Sequence, residues 1–292
     1  MSDLTTETDD PATFFGAVRP YRHRVAFTYC IMLVENILEL LYPFAIGLAI
    51  NGLIAGDGLM SLAPFAGIWF VQSATATFRQ LYDTRLFAKI YGEVSGRMIV
   101  RQRAAGVSTG EVAARSVMAR EAVDFFEFEI PTVVTALISL VGGVAMLSVY
   151  DFVAGAAMAG MLVPIAILFV LYGKRSLKLS QRLNNRHERE VAAIESGRPS
   201  RVRKHFSALA RWRIMLSDIQ AGSWALSDFL SACAAMFVIL RVTAEPGVQA
   251  GDVFAAVSYL LTIIMALDQA PLIVEQLSRL VDIRRRVDKS NQ

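Results

Sequence analysis

Residues 132–173 read TVVTALISLVGGVAMLSVYDFVAGAAMAGMLVPIAILFVLYG, with Asp151 as the single charged side chain. A helix needs about 20 apolar residues to cross the hydrocarbon of a bilayer. The stretch holds two such lengths, 132–150 and 152–173, on either side of Asp151. Its apolar residues do not alternate with polar ones, so it reads as helix and not as strand. Backbone groups find no partner in lipid, which leaves helices or closed barrels as the only spanning structures. Two charge-free helices with one acid between them make a membrane hairpin.

The rest of the chain follows the same pattern. Of its 292 residues 54% are hydrophobic and 19% charged, against about 25% charged in soluble globular chains; the mean hydropathy is +0.45. Residues 59–78 form another charge-free run. Three further apolar runs carry acids: 25–51 with Glu35 and Glu39, 220–240 with Asp228, and 253–274 with Asp268. The reading is an all-α membrane protein with six transmembrane helices. A net charge of +3 is too small to argue for a nucleic-acid partner. Cys30 and Cys233 lie inside apolar runs and read as packing residues rather than a disulfide or metal site. The polar, acidic residues 1–11 read as a disordered tail, and residues 289–292 as a second. The first apolar run begins only near Val25, so no cleaved signal is expected.

Positive charge orients the spans. Every one of the 29 lysines and arginines except Arg241 falls on one side of the six-span alternation. That side is expected to be the cytoplasm of a bacterial inner membrane, with both termini there. The connections on the other side are short turns around Asp57, Asp151 and Pro246, while the inner ones are long and helical in character. Arg79/Asp83 and Lys89/Glu93 are opposite charges four apart, as on a solvated helix. Gly106 and Gly110 interrupt that pattern, and Ser108 with Glu111 forms a capping box that starts a new helix. Ser196-Gly197-Arg198-Pro199 is a second break of this kind. An extension of about 20 residues would reach about 30 Å beyond the membrane.

Short outer loops, long helical inner hairpins and cytoplasmic termini resemble the transmembrane domain of ABC exporters. The stretch ELLYPFAIGLAINGLIAGD, residues 39–57, looks like their first helix and the loop after it. DFFEFEIP, residues 124–131, resembles the start of their third helix. The similarity covers nearly all of residues 12–288, and the chain looks closest to stand-alone six-helix ABC-type membrane regions. The resemblance implies a homodimer, domain-swapped through helices four and five, with one pathway lined by both copies. A nucleotide-binding domain needs a Gly-x-x-x-x-Gly-Lys-Ser/Thr loop to cradle phosphates. The nearest run, Gly173-Lys174-Arg175-Ser176, lacks the upstream glycine and the adjacent lysine and serine. The expectation is a transport protein, not an enzyme, with no cofactor and no ATPase in these residues.

Charges inside hydrocarbon are costly and mark function or a buried partner. Glu35 and Glu39, four apart on one helix face, fall about 15 to 25 Å along the helix from Arg24. They read either as a proton or cation site on a central cavity or as a structural pair bonded to hydroxyls of another helix. Asp228 sits among Ser223, Ser227 and Ser231, a polar stripe that either lines a pathway or packs helices. Asp268, beside Gln269 and Pro271, either lines the cavity or caps the inner end of the sixth helix. No base is expected at the level of these acids. Asp124, Glu127 and Glu129 fall at the cytoplasmic mouth as coupling or gate residues, with Arg79, Arg85 or Arg120 as expected partners. His23, His187 and His205 lack metal-ligand spacing. Trp69 and Trp224 fall in spans, and Trp212 reads as an interfacial anchor.

Two functions fit this pattern. One is a transporter of a small molecule or peptide that works by alternating access and is driven by protons. The SbmA-like peptide transporters, which combine an exporter-like membrane fold with no ATPase, are the analogy. The other is the membrane subunit of an ABC transporter whose ATPase is a separate chain, with 106–110 and 196–200 as the docking turns. The excess of acids over bases in the spans disfavours anionic cargo.

Overall fold

The computed structural model describes residues 19–187, 190–195 and 197–269. The termini, including Pro271, Val274 and the basic tail 279–289, lie outside the described residues, as does Ser196. The described chain is helical throughout: α1 Arg22–Leu40, α2 Tyr42–Ala55, α3 Ala63–Ala104, α4 Thr109–Asp124, α5 Ile130–Tyr150, α6 Phe152–His187, α7 Glu190–Glu195, α8 Pro199–Thr243 and α9 Ala250–Asp268. A 3₁₀ turn, Gly58–Leu62, precedes α3, and a π-helical turn, Phe125–Glu129, joins α4 to α5. Six helical stretches are long and apolar enough to cross a membrane: Arg22–Ala55, Gly58–Ala104, Phe125–Tyr150, Phe152–Ser180, Pro199–Thr243 and Ala250–Asp268. This is the all-helical, six-span chain expected from the hydropathy pattern. Large apolar side chains on these spans, such as Ile37, Phe70, Val141 and Leu240, are exposed, as suits a surface facing lipid.

The first span departs from expectation by breaking into α1 and α2 at Leu41. Pro43 has no N–H to donate, and its ring crowds the preceding turn. At the far end of α2, Gly56 takes a left-handed φ of +89°, which closes the helix and turns the chain toward α3.

Contacts divide the chain into two units, residues 1–143 with 248–292 and residues 144–247. In the first unit α1 runs along α3 and α2 packs on α9. The second of these contacts is close enough to need glycine on both sides. A Cβ on Gly251 would stand 2.0 Å from the Gly47 oxygen, and one on Gly47 2.6 Å from the Gly251 oxygen. Asn51 then caps α9 from the neighbouring helix. Its Oδ1 accepts from the Gly251 N–H at 2.7 Å, and its Nδ2 donates to Asp252 at 3.0 Å. Further along α9, the Tyr259 hydroxyl donates to the carbonyl of Leu40, the last residue of α1, at 2.9 Å.

The part of α3 beyond the apolar run is not simply solvated. Tyr21, Leu86, Phe87, Ile90, Val94 and Val123 form a buried cluster there. Arg79 and Asp83 do pair, but with side chains only 22% and 8% exposed. Glu93 pairs with Arg97 at 3.4 Å instead of Lys89, and Lys89 stands 5.8 Å over the Tyr21 ring.

In the second unit α6 runs along α8. Asp151 starts α6: its Oδ1 accepts from the Ala154 N–H at 2.6 Å, and its Oδ2 lies 3.2 Å from Arg241 Nη2. Arg182 stacks 5.2 Å over the Trp212 ring.

Candidate functional site

The ion cluster of the first unit is built on two helices. Arg79 and Asp83 sit one turn apart on α3, and Glu35 faces them from α1. Arg79 Nε donates to Glu35 Oε2, its Nη2 to Glu35 Oε1 at 3.4 Å, and its Nη1 to Asp83 Oδ2 at 3.1 Å. The Glu35 side chain is 14% exposed. Glu35 was expected without a base at its level; Arg79 overturns that. The planar guanidinium suits the task, because its fork can engage two carboxylates at once. Burying such charges is favourable only when each finds good partners.

One carboxylate oxygen remains without a partner. The Thr28 hydroxyl comes close to Asp83, yet neither Thr28 Oγ1 nor Asp83 Oδ1 has a partner in hydrogen-bond geometry. Asn36, buried beside Glu35 on α1, donates to its own helix at the Met32 carbonyl, 2.7 Å away. Glu39, one turn beyond Glu35, is exposed, and no base among the described residues pairs with it.

The π-helical turn brings in a third acid. One extra residue per turn shifts the face of a helix, and such turns recur at functional sites. Tyr29 on α1 donates its hydroxyl to the Phe126 carbonyl at 2.9 Å, which holds the turn against α1. Glu127, on this turn, borders a cavity of about 390 Å³ together with Arg79, Asp83, Thr132, Thr135 and Gln269. No base among the described residues pairs with Glu127. Arg79, one of its expected partners, is taken up by Glu35 and Asp83.

The other expected site residues lie apart from this cluster, and of the expected partners Arg120 does meet Asp124. Asp124 pairs with Arg120 at 3.7 Å on an exposed face. Glu129 is half-buried, and its Oε2 has no hydrogen-bond partner. Asp268 is the exposed last residue of α9, next to the cavity-lining Gln269. In the second unit Asp228 is exposed, whereas Ser223, Ser227 and Ser231 are buried. The acid and the serine stripe therefore occupy different faces of α8. His205 is buried with Nε2 unpartnered, and no group of His, Cys, Asp and Glu among the described residues has metal-site geometry.

A family model described as an ABC transporter transmembrane region matches residues 17–251. The chain belongs to this family. The match takes in α1 through α8 and the start of α9, and so includes Glu35, Arg79, Asp83 and Glu127. No curated protein matches the chain. Membership in the ABC transmembrane family agrees with the resemblance read from residues 39–57 and 124–131, and makes this a multi-pass membrane protein of transporter type.

The sequence pattern points Arg79 to the acids of the cytoplasmic mouth and leaves Asp83 outside any site, whereas both meet Glu35 in the cluster. Their signal was present: a base and an acid four apart at the end of the charge-free run 59–78. Opposite charges four apart suit a solvated helix equally well, and nothing in the local pattern marks the partner face on α1. The aromatic group above the cluster was missed as well. Tyr42 stacks on Trp69 with ring centres 5.7 Å apart, and its hydroxyl donates to Gln72 at 2.8 Å.

Proposed function

We propose that this ABC-type membrane region forms a homodimeric, proton-coupled transporter of a small molecule or peptide. It sits in the bacterial inner membrane with both termini in the cytoplasm and works by alternating access. The observation that carries the reading is Arg79, held between Glu35 and Asp83 on two helices that belong to membrane-span-length stretches. Ion pairs inside spans mark ion or substrate pathways. Protonation of Glu35 removes the charge that holds Arg79 on α1 and leaves it to Asp83 alone. The contact between α1 and α3 then loosens. Proton binding is thereby linked to the relative position of the two helices, which is the linkage alternating access requires. Glu39, Glu127, Asp228 and Asp268 are the further carboxylates such a path would use. Asp124 and Glu129 would serve the inner gate.

A second reading has an observation of its own in the long helices. α3 continues to Ala104, and α8 starts at Pro199 beyond a glycine with φ +58°. Those two turns suit docking of an ATPase supplied as a separate chain.

The test is uptake of a mixed library of short peptides and small solutes into proteoliposomes. The first reading expects accumulation under an imposed pH gradient, collapsed by a protonophore and by Glu35→Gln. Accumulation that needs an added ATPase and stops with vanadate would replace it with the second.

A further inference from the structure

We propose that the π-helical turn Phe125–Glu129 is a register switch for α5, latched in its present register by the Tyr29 hydroxyl of α1. The inference concerns a motion of the fold and stands whether protons or an ATPase drive transport.

The backbone hydrogen bonds expose the latch. The Ile130 N–H donates five residues back, to the Phe125 carbonyl. The next donor of a π turn would come from residue 131 to the Phe126 carbonyl, but that residue is Pro131, which has no N–H. Tyr29 reaches across from α1 and supplies the bond at 2.9 Å. Phe126 belongs to a span-length stretch, where a carbonyl must be paired within the protein. A side chain of another helix thus replaces a donor that the sequence omits. A second register satisfies the same carbonyl without Tyr29. When the Ile130 N–H moves to the Phe126 carbonyl, four residues back, the turn becomes α-helix, the far commoner form. The π register also carries a cost of its own: Glu129 Oε2 is buried without a hydrogen-bond partner, and a buried acceptor without a donor is unfavourable.

The two registers differ in how α5 faces. Before the turn, α4 packs on α3, and Val123 and Phe125 are buried. After it, α5 meets its neighbours through glycines. Gly142 lies against the side chain of Leu40, and Gly143 against Ile263 of α9. At those contacts α5 offers no side chain that would interlock, so α5 is the arm that turns. A π turn holds one residue more than an α turn, and its loss rotates α5 by up to about 100°. Residue 141 then takes the place of Gly142, and Thr132 and Thr135 leave their positions in the cavity wall. Tyr29 and Glu35 share α1, so a shift of α1 that loosens the Arg79 pair also draws the latch from Phe126. The state of the ion cluster is thereby passed to the cavity wall.

The test is intramolecular disulfide cross-linking in native membranes, on the full-length protein with Cys30 and Cys233 replaced by alanine. A disulfide needs Cβ atoms about 3.5–4.5 Å apart. Leu40→Cys pairs with Gly142→Cys in the latched register and with Val141→Cys in the released one. With Tyr29 in place, the 142 link is expected to form at least ten-fold faster than the 141 link. The 141 link still accumulates under continued oxidation, because the released register is visited and trapped. Tyr29→Phe removes the hydroxyl alone and is expected to reverse the order, whereas Tyr172→Phe on α6 is expected to leave it unchanged. Deleting Glu129 takes out the extra residue and gives an α-helix with α5 facing as before. In that background the 142 link is expected to dominate with or without Tyr29→Phe. A 141 link that never forms while Tyr29 is present overturns the proposal, and this outcome needs no Tyr29 variant to fold. An unchanged order in Tyr29→Phe overturns it as well, as does a reversal that persists once Glu129 is deleted.

Discussion

Glu35 and Arg79 stand at equal numbers of residues before and after Asp57 in the chain, and their side chains meet through two N–H···O contacts. A helical hairpin that turns near Asp57 brings residues at similar distances from the turn near one another, because both arms are mostly α-helical with about 1.5 Å rise per residue. The pair follows from this symmetry: an acid on the descending helix finds the first base on the returning one.

Removing one member strands the others. Arg79→Gln leaves Glu35 and Asp83 buried without a counter-charge and is expected to destabilise the protein by about 3–5 kcal/mol. Arg79→Lys is expected to rescue only part of this, since an ammonium lacks the two-sided fork. The double variant Glu35→Gln/Arg79→Gln is expected to lose less than the sum of the single variants, with a coupling of about 0.5–3 kcal/mol. Thermal unfolding in detergent, followed by light scattering, reads the wild type, Glu35→Gln, Arg79→Gln, Arg79→Lys and the double variant. Strict additivity would mean that the pair contributes no interaction of its own.

The α2–α9 contact depends on two backbones approaching without side chains between them. A Cβ on Gly251 meets the Gly47 carbonyl and the Asn51 amide together, so Gly251→Ala is expected to cost about 1–3 kcal/mol through overpacking. Asn51→Ala removes a helix cap supplied from the neighbouring helix and is expected to cost about 1 kcal/mol. Gly160 on α6 has open space around its Cβ position, and Gly160→Ala should be neutral or slightly stabilising. A melting series that places Gly251→Ala beside Gly160→Ala would show that the close approach is not what holds α9 in place.

The spans were legible because the apolar runs are long and the charges sparse, a signal that needs no tertiary information. The break at Leu41 was also written in the sequence, in Pro43, but a run of apolar residues from 25 to 51 masks a kink in hydropathy. What the sequence could not display was facing. Glu35 looked unpaired because Arg79 is distant in the chain and was grouped with Asp83 on its own helix. Asp228 looked like part of a serine stripe because four-residue spacing tracks one face of a helix. Asp228 directly follows Ser227, however, and one residue turns about 100° around the axis at 3.6 residues per turn. The π-helical turn that brings Glu127 to the cavity adds a residue to the turn, and no composition rule marks that insertion.

The two faces of α8 can be told apart chemically. Asp228 is exposed while Ser227 is buried at 4%. Asp228→Cys is therefore expected to react with a small maleimide in detergent at least ten-fold faster than Ser227→Cys, in a background where Cys30 and Cys233 are replaced by alanine. Ser227→Leu is expected to destabilise by about 1–3 kcal/mol, because a larger side chain has no room at a packed helix contact, whereas Asp228→Asn should leave the melting point unchanged. Fast labelling of Ser227→Cys would put the serine stripe on an open surface and revive a pathway role for it.

The turn between α5 and α6 rests on one carboxylate with two tasks. Asp151 Oδ1 caps α6 through the Ala154 N–H, and Oδ2 meets Arg241, which also reaches Glu245 at 2.6 Å. The cap is a buried hydrogen bond at a helix start, worth about 0.5–2 kcal/mol. The ion pair involves an Arg241 side chain 37% exposed, so solvent screening holds its contribution to about 0–1 kcal/mol. Asp151→Ala loses both, Asp151→Asn retains an oxygen that can cap, and Arg241→Gln retains the cap entirely. The expected order of melting points is wild type, then Arg241→Gln and Asp151→Asn close together, then Asp151→Ala lowest. High salt should narrow the gap between wild type and Arg241→Gln while leaving the Asp151→Ala deficit in place, because ions screen the charge pair and not the cap. If Asp151→Asn melts as low as Asp151→Ala, charge rather than capping governs this turn, and the geometry at Ala154 carries little of its stability.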